Sequence, residues 1–96
     1  MKAVLIVHNV VIDRDVNEVL EALGINCYTK FTNVLGKGRA SGPHLNTDVW
    51  PGMNLATFVV TDQPKAEKIM DKIRRMREKL TAEGLKAFMW QLDDIT

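Results

Sequence analysis

One segment of the chain is dense in groups suited to holding a phosphate: Gly36, Lys37, Gly38 and Arg39. Glycines let main-chain N–H groups approach an anion closely, and Lys37 and Arg39 supply neutralising charge. Alone, a Gly-Lys-Gly triplet is equally the mark of an ordinary turn. A second set of residue types suits a borderline or soft metal, since His44 and Asp48 stand four apart and His8 and Cys27 occur elsewhere. Their spacing matches no strong metal motif, and a solvent-facing loop histidine would look the same. Ser41 lies near His44, but it has neither a nucleophile elbow nor an orienting acid at recognisable spacing. No catalytic residue is therefore predicted, and the chain is not expected to be an enzyme.

The elements that must position these groups follow from periodicity. Residues Lys2 to Val7 form a short, β-branched apolar run and read as a strand, with His8 at its end. Val16, Val19, Leu20 and Leu23 then recur at helical spacing, with Asp13 or Asp15 to cap the start and Gly24 to stop it. A second strand is predicted from Cys27 to Leu35, where Cys27 is expected to be a small buried side chain. The glycine-containing stretch after it is the one long loop, and the segment from about 37 to 53 is expected to be mobile. Leu55 to Thr61 makes a third strand. Asp62 and Pro64 open a second helix whose Ala66, Ile69, Met70, Ile73, Met76 and Leu80 share one face. Gly84 breaks the chain before a fourth strand from Leu85 to Leu92. The order βαββαβ predicts an α+β, ferredoxin-like fold over residues 1–96: a four-stranded antiparallel sheet with two helices on one face.

Composition limits what such a domain could do. Ninety-six residues suit one compact domain, and 46% hydrophobic with 26% charged residues is an ordinary globular balance. A formal net charge of +1 argues against a general nucleic-acid coat. The single cysteine excludes an intramolecular disulfide framework and a four-cysteine zinc site, and a reducing, cytoplasmic address is the default. The amino-terminal apolar run is interrupted by His8, Asn9 and Asp13, so no secretory signal is read there, and no stretch has the length of a membrane span.

Two features concern partners. Strands one, three and four are apolar on both faces (Ala3 to Val7; Leu55, Ala56, Phe58, Val59 and Val60; Leu85, Ala87 to Trp90 and Leu92). Two helices can cover one face, so self-association of sheets is the economical way to cover the other. The second helix carries Lys65, Lys68, Lys72, Arg74, Arg75, Arg77 and Lys79 against Glu67, Asp71 and Glu78. That excess could meet an acidic partner, although a solvated helix face accounts for the same residues. Trp50, beside Pro51 and Gly52, could pack at the base of the loop or anchor a partner.

The order of elements, together with MKAVLIV, DVNEVLEALGI, TNVLGKGRASG and FVVTDQPKAEKIMDKI, resembles the nitrogen-regulatory PII family and its PII-like relatives over most of the chain. In that family the second strand ends in a Gly-x-Gly-Arg segment that opens a mobile T-loop, the place taken here by Gly36 to Arg39. The resemblance implies a cytoplasmic homotrimer with sheets facing a common centre, ATP, ADP or another anionic effector in clefts between subunits, and a loop that docks on a target protein. Of the family's second phosphate-contacting loop only Gly84 and Lys86 loosely match. The family's modified loop tyrosine has no counterpart, since the one tyrosine is Tyr28, and the tail that completes the family's cleft is not seen after strand four. The expectation is a divergent PII-like sensor in signal transduction, with ligand residues Gly36, Lys37, Gly38, Arg39 and Lys86. The alternative is a divalent-metal protein like CutA, with His44 and Asp48, or His8, as ligands. Neither reading involves nucleic acid or membrane insertion.

Overall fold

A computed structural model describes residues 1–35, 54–79 and 84–96. Among these, the order is β1 (Lys2–Asn9), a short 3-10 turn (Val10–Ile12), α1 (Asp13–Ala22), β2 (Thr29–Val34), β3 (Asn54–Thr61), α2 (Gln63–Lys79) and β4 (Leu85–Gln91). The four strands form one sheet in the order β2-β3-β1-β4. Every neighbouring pair is antiparallel. This is the expected ferredoxin-like arrangement, with β1 running one residue past His8.

The register separates the two faces of the sheet. Val4 and Ile6 lie beside Val59 and Thr57 on one side and Met89 and Ala87 on the other. That face packs on Val16 and Leu20 of α1 and on Ala66, Ile69 and Ile73 of α2, which makes a single core. Burial of these aliphatic side chains supplies the main driving force, roughly 1.5 to 3 kcal/mol for each large one. The opposite face carries Leu5 and Val7 from β1, Phe58 and Val60 from β3, Phe88 and Trp90 from β4, and Phe31 from β2. Neither helix covers it, and Phe31, Phe88 and Trp90 remain 52%, 47% and 43% exposed.

Local signals set the start of α2 and the end of α1, whereas α1 follows Ile12 without a side-chain cap, Asp13 and Asp15 lying inside its first turn instead of capping it as expected. The Asp62 carboxylate accepts from the Lys65 amide at 2.9 Å, an N-cap bond at the start of α2. At the end of α1, Gly24 adopts φ 72°. Its N–H donates to the Glu21 carbonyl, and the Ile25 N–H donates to that of Leu20 at 2.9 Å. This is a Schellman closure, and Ile25 folds back into the core beside Leu20. The Asn9 side chain, which the sequence reading did not single out, accepts from the Val11 amide at 2.8 Å and caps the 3-10 turn.

Cys27 departs from expectation. It is exposed and precedes β2, whose pairing with β3 begins at Thr29 opposite Phe58. Residues 25–28 instead form the connection that brings the chain from α1 to the sheet edge. No described helix is long and apolar enough to cross a membrane.

Candidate functional site

The strand ends gather at one end of the sheet. Val34 of β2 lies opposite Asn54 of β3, Asn54 lies opposite Asn9 of β1, and the Asn9 amide donates to the Gly84 carbonyl at 3.0 Å. The chain therefore leaves β2 for residue 36, re-enters at Asn54 and enters β4 at this same end. Between Phe31 and Val34 the register shifts: Phe31 pairs Ala56 but Val34 pairs Asn54. Two residues, Thr32 and Asn33, stand opposite Leu55, and Asn33 takes φ 56°. This β-bulge twists the last residues of β2 and re-aims the chain as it departs. Asparagine tolerates the left-handed conformation better than most residues, which suits it to the position.

Of the expected ligand residues, Gly36, Lys37, Gly38 and Arg39 lie outside the described residues, as do His44, Asp48, Trp50 and the whole 37–53 segment. Lys86 is described. It is exposed on β4 and shares the uncovered face with Phe88 and Trp90 through its pairing with Val7. Strand order puts β2 and β4 at opposite edges. With three inter-strand steps, the exit of β2 and Lys86 are roughly 14 Å apart across the sheet.

Behind this end of the sheet lies a polar cluster beneath α1. His8 is 1% exposed and Thr57 is fully buried. The His8 Nδ1 meets the Asn9 carbonyl at 3.2 Å and its Nε2 meets the Thr57 hydroxyl at 3.0 Å. A carbonyl can only accept, so Nδ1 carries the proton, and Nε2 accepts from Thr57 in the neutral ring. Asp13 Oδ1 stands 3.9 Å from Nε2. Lys30 forms an ion pair with Asp13 and donates to Asn17 Oδ1 at 2.6 Å. The Lys30 ammonium also sits 5.6 Å from the centre of the Tyr28 ring. Burial lowers the His8 pKa from 6.5 and Lys30 adds to that, against the Asn9 carbonyl and Asp13, which raise it.

A hydroxyl, an imidazole and a carboxylate are the residue types of nucleophilic catalysis, but this arrangement does not suit it. Thr57 has no exposed surface for a substrate, and Asp13 approaches the same ring nitrogen as the hydroxyl instead of orienting the ring from Nδ1. Among the described residues no three of His, Cys, Asp and Glu converge. The cluster ties the first turn of α1 to β1, β2 and β3. Sequence reasoning missed Asn17, Lys30 and Thr57 as its members. A usable signal existed in His8 itself, which continues the inward parity of Val4 and Ile6 and so required a buried polar partner.

The whole chain, residues 1–96, matches the family model for Nitrogen regulatory protein P-II. No curated protein matches it. Among solved structures, it is similar to CPII, a nitrogen regulatory PII-like protein from Thiomonas intermedia K12, bound to ADP, AMP and bicarbonate. The TM-score is 0.73 at 14% identity, covering 95% of this chain and 88% of that one. The apo form of CPII gives a TM-score of 0.67 at 15% identity, with 95% and 89% covered. A PII-like signalling-protein candidate from Thermus thermophilus gives 0.67 at 20% identity, with 93% and 82% covered. These structural likenesses carry the fold, and the match along its full length places the chain in the nitrogen regulatory P-II family.

Proposed function

We propose that this protein is a PII-like sensor that binds an anionic effector of the adenine-nucleotide kind between copies of the chain and signals through the segment 37–53. The observation that carries the reading is the position of Lys86 on β4, at the sheet edge opposite the exit of β2 toward Gly36, Lys37, Gly38 and Arg39. A ligand held by both groups is most simply reached when β2 of one copy lies near β4 of another. The apolar face of Leu5, Phe58, Phe88 and Trp90 gives a reason for copies to associate through their sheets, and a homotrimer is the assembly we assign. The reading is supported by CPII, crystallised with ADP, AMP and bicarbonate. Binding of the effector would reorder the 37–53 segment and change the target protein it can engage. No catalytic step is part of this function, and it is assigned to the cytoplasm.

Calorimetric titration with ATP, ADP, AMP, bicarbonate and divalent metals, alongside sedimentation equilibrium, tests it. A nucleotide should bind the trimer, and Arg39→Ala should weaken binding by about one to two orders of magnitude with the trimer intact. A monomer at micromolar concentration would remove the inter-subunit site. Metal binding lost in His44→Ala, with no nucleotide response, would replace this reading by the metal one.

A further inference from the structure

One oxygen of Asp13 faces a basic side chain on either side. Oδ1 pairs with the Lys30 ammonium of β2, and the same atom stands 3.9 Å from His8 Nε2 of β1, too far for a hydrogen bond and within reach of an ion pair. The two bases differ in their surroundings. His8 is 1% exposed, and the Asn9 carbonyl and the Thr57 hydroxyl occupy its two ring nitrogens. Lys30 keeps 19% of its side chain exposed and has a second acceptor in Asn17 Oδ1. The other elements around the ring bring no charge to it: β3 supplies Thr57, β4 places Leu85 opposite His8, and α2 contributes Ala66, Ile69 and Ile73 to the core. Asp13 and Lys30 are the charged groups that act on the ring, and they act in opposite senses.

While the ring is neutral, Nε2 accepts from Thr57 and Asp13 belongs to Lys30. A proton arriving from solvent at Nε2 turns that atom into a donor, so the Thr57 hydroxyl must turn away. It also creates a buried cation, which needs a counter-charge. Among the described residues Asp13 is the carboxylate within reach, and one oxygen cannot neutralise both bases. Lys30 is the base that can leave, because its ammonium is strongly hydrated and its side chain already reaches water. β2 then loses a tie to the helix layer. It is an edge strand with no buried residue, so beyond its pairing with β3 the Lys30 bridge is its described polar link to α1.

From this shared oxygen we infer that Asp13 is a two-position relay: it pairs with Lys30 while His8 is neutral and turns to His8 when the ring takes up a proton, so that acidification frees β2 from α1. By reciprocity, whatever draws Lys30 off Asp13 raises the proton affinity of His8. The inference is independent of the effector site, since neither the 37–53 segment nor Lys86 takes part.

The test follows the full chain by NMR from about pH 8 to about pH 5, reading the His8 ring, the Lys30 side chain and the protection of paired amides against exchange, with sedimentation measured in parallel. The Lys30 signals and the amides of Thr29 to Phe31 should respond with the midpoint of the His8 ring. Protection in β2 should fall at least about fivefold more than in β1 and its partners on β3. Lys30→Met should raise the proton affinity of His8 about fivefold, and Asp13→Asn should lower it and remove the β2 response. Circular dichroism checks that each variant is folded, and His8→Gln, in which the β2 response should also vanish, serves where Asp13→Asn is not. Protection that falls equally in β1 and β2, a β2 response that tracks a change in sedimentation instead of the His8 ring, or an unchanged His8 midpoint in Lys30→Met would each overturn the proposal.

Discussion

His8 on β1 and Thr57 on β3 are joined by a 3.0 Å hydrogen bond in which the buried imidazole Nε2 accepts the threonine hydroxyl. Both side chains lie on the helix-facing side of the sheet, and Asp13 of α1 stands above the same ring nitrogen. The bond satisfies a polar ring at the end of an otherwise aliphatic row, where burial favours the neutral form. No described buried side-chain nitrogen or oxygen is left without a partner.

Because burial, helped by Lys30, holds the folded His8 pKa below 6.5, the unfolded chain takes up a proton first as pH falls. The contribution to stability is full above about pH 6.5 and is lost as pH falls from there through the folded pKa. The thermal midpoint should decline over that window, and His8→Gln, though less stable at neutral pH, should decline less. Parallel pH profiles for the two proteins between about pH 7.5 and 5 would falsify this assignment.

Lys30 bonds both Asp13 and Asn17 while partly exposed, with side-chain exposures of 19% for Lys30 and 31% for Asp13. Solvent screening keeps the pair modest, so Lys30→Met should cost about 1 kcal/mol in urea unfolding. A double-mutant cycle with Asp13→Asn should show coupling that shrinks in high salt. Strictly additive effects would mean the two residues act separately.

Gly24 has open space where a Cβ would project, so Gly24→Ala tests backbone conformation without a packing clash. The left-handed φ of 72° should make it destabilising by about 1 to 2 kcal/mol. An unchanged denaturation midpoint would show that the α1 ending relaxes to another conformation.

Phe88 and Trp90 are half-exposed on the uncovered face, and Trp90 lies 6.2 Å from the Phe58 ring, centroid to centroid. On the proposed sheet-to-sheet assembly, Phe88→Asp places a charge in a buried contact and should shift sedimentation equilibrium toward monomer. An assembly of undiminished size would place the interface on another surface.

The βαββαβ order, the apolar faces of both helices, the Asp62 cap and the Gly24 stop were legible because each is a local property: side-chain period, a short hydrogen bond or a permissive φ. The two-sided character of β1, β3 and β4 was legible for the same reason. Cys27 was misplaced because β-propensity is local, whereas the start of a strand is set by its partner, and pairing with Phe58 begins at Thr29. The bulge at Asn33 depends likewise on the register against Asn54 and Ala56. His8 was visible as a residue, but its hydrogen-bond partner Thr57 lies 49 positions away, so no window along the chain could associate them. The placement of Lys86 on the edge opposite β2 is of the same kind. Chemical type and local period are written residue by residue; which side chains meet is decided by strand order and register, through pairings between distant segments that exist once the core has closed.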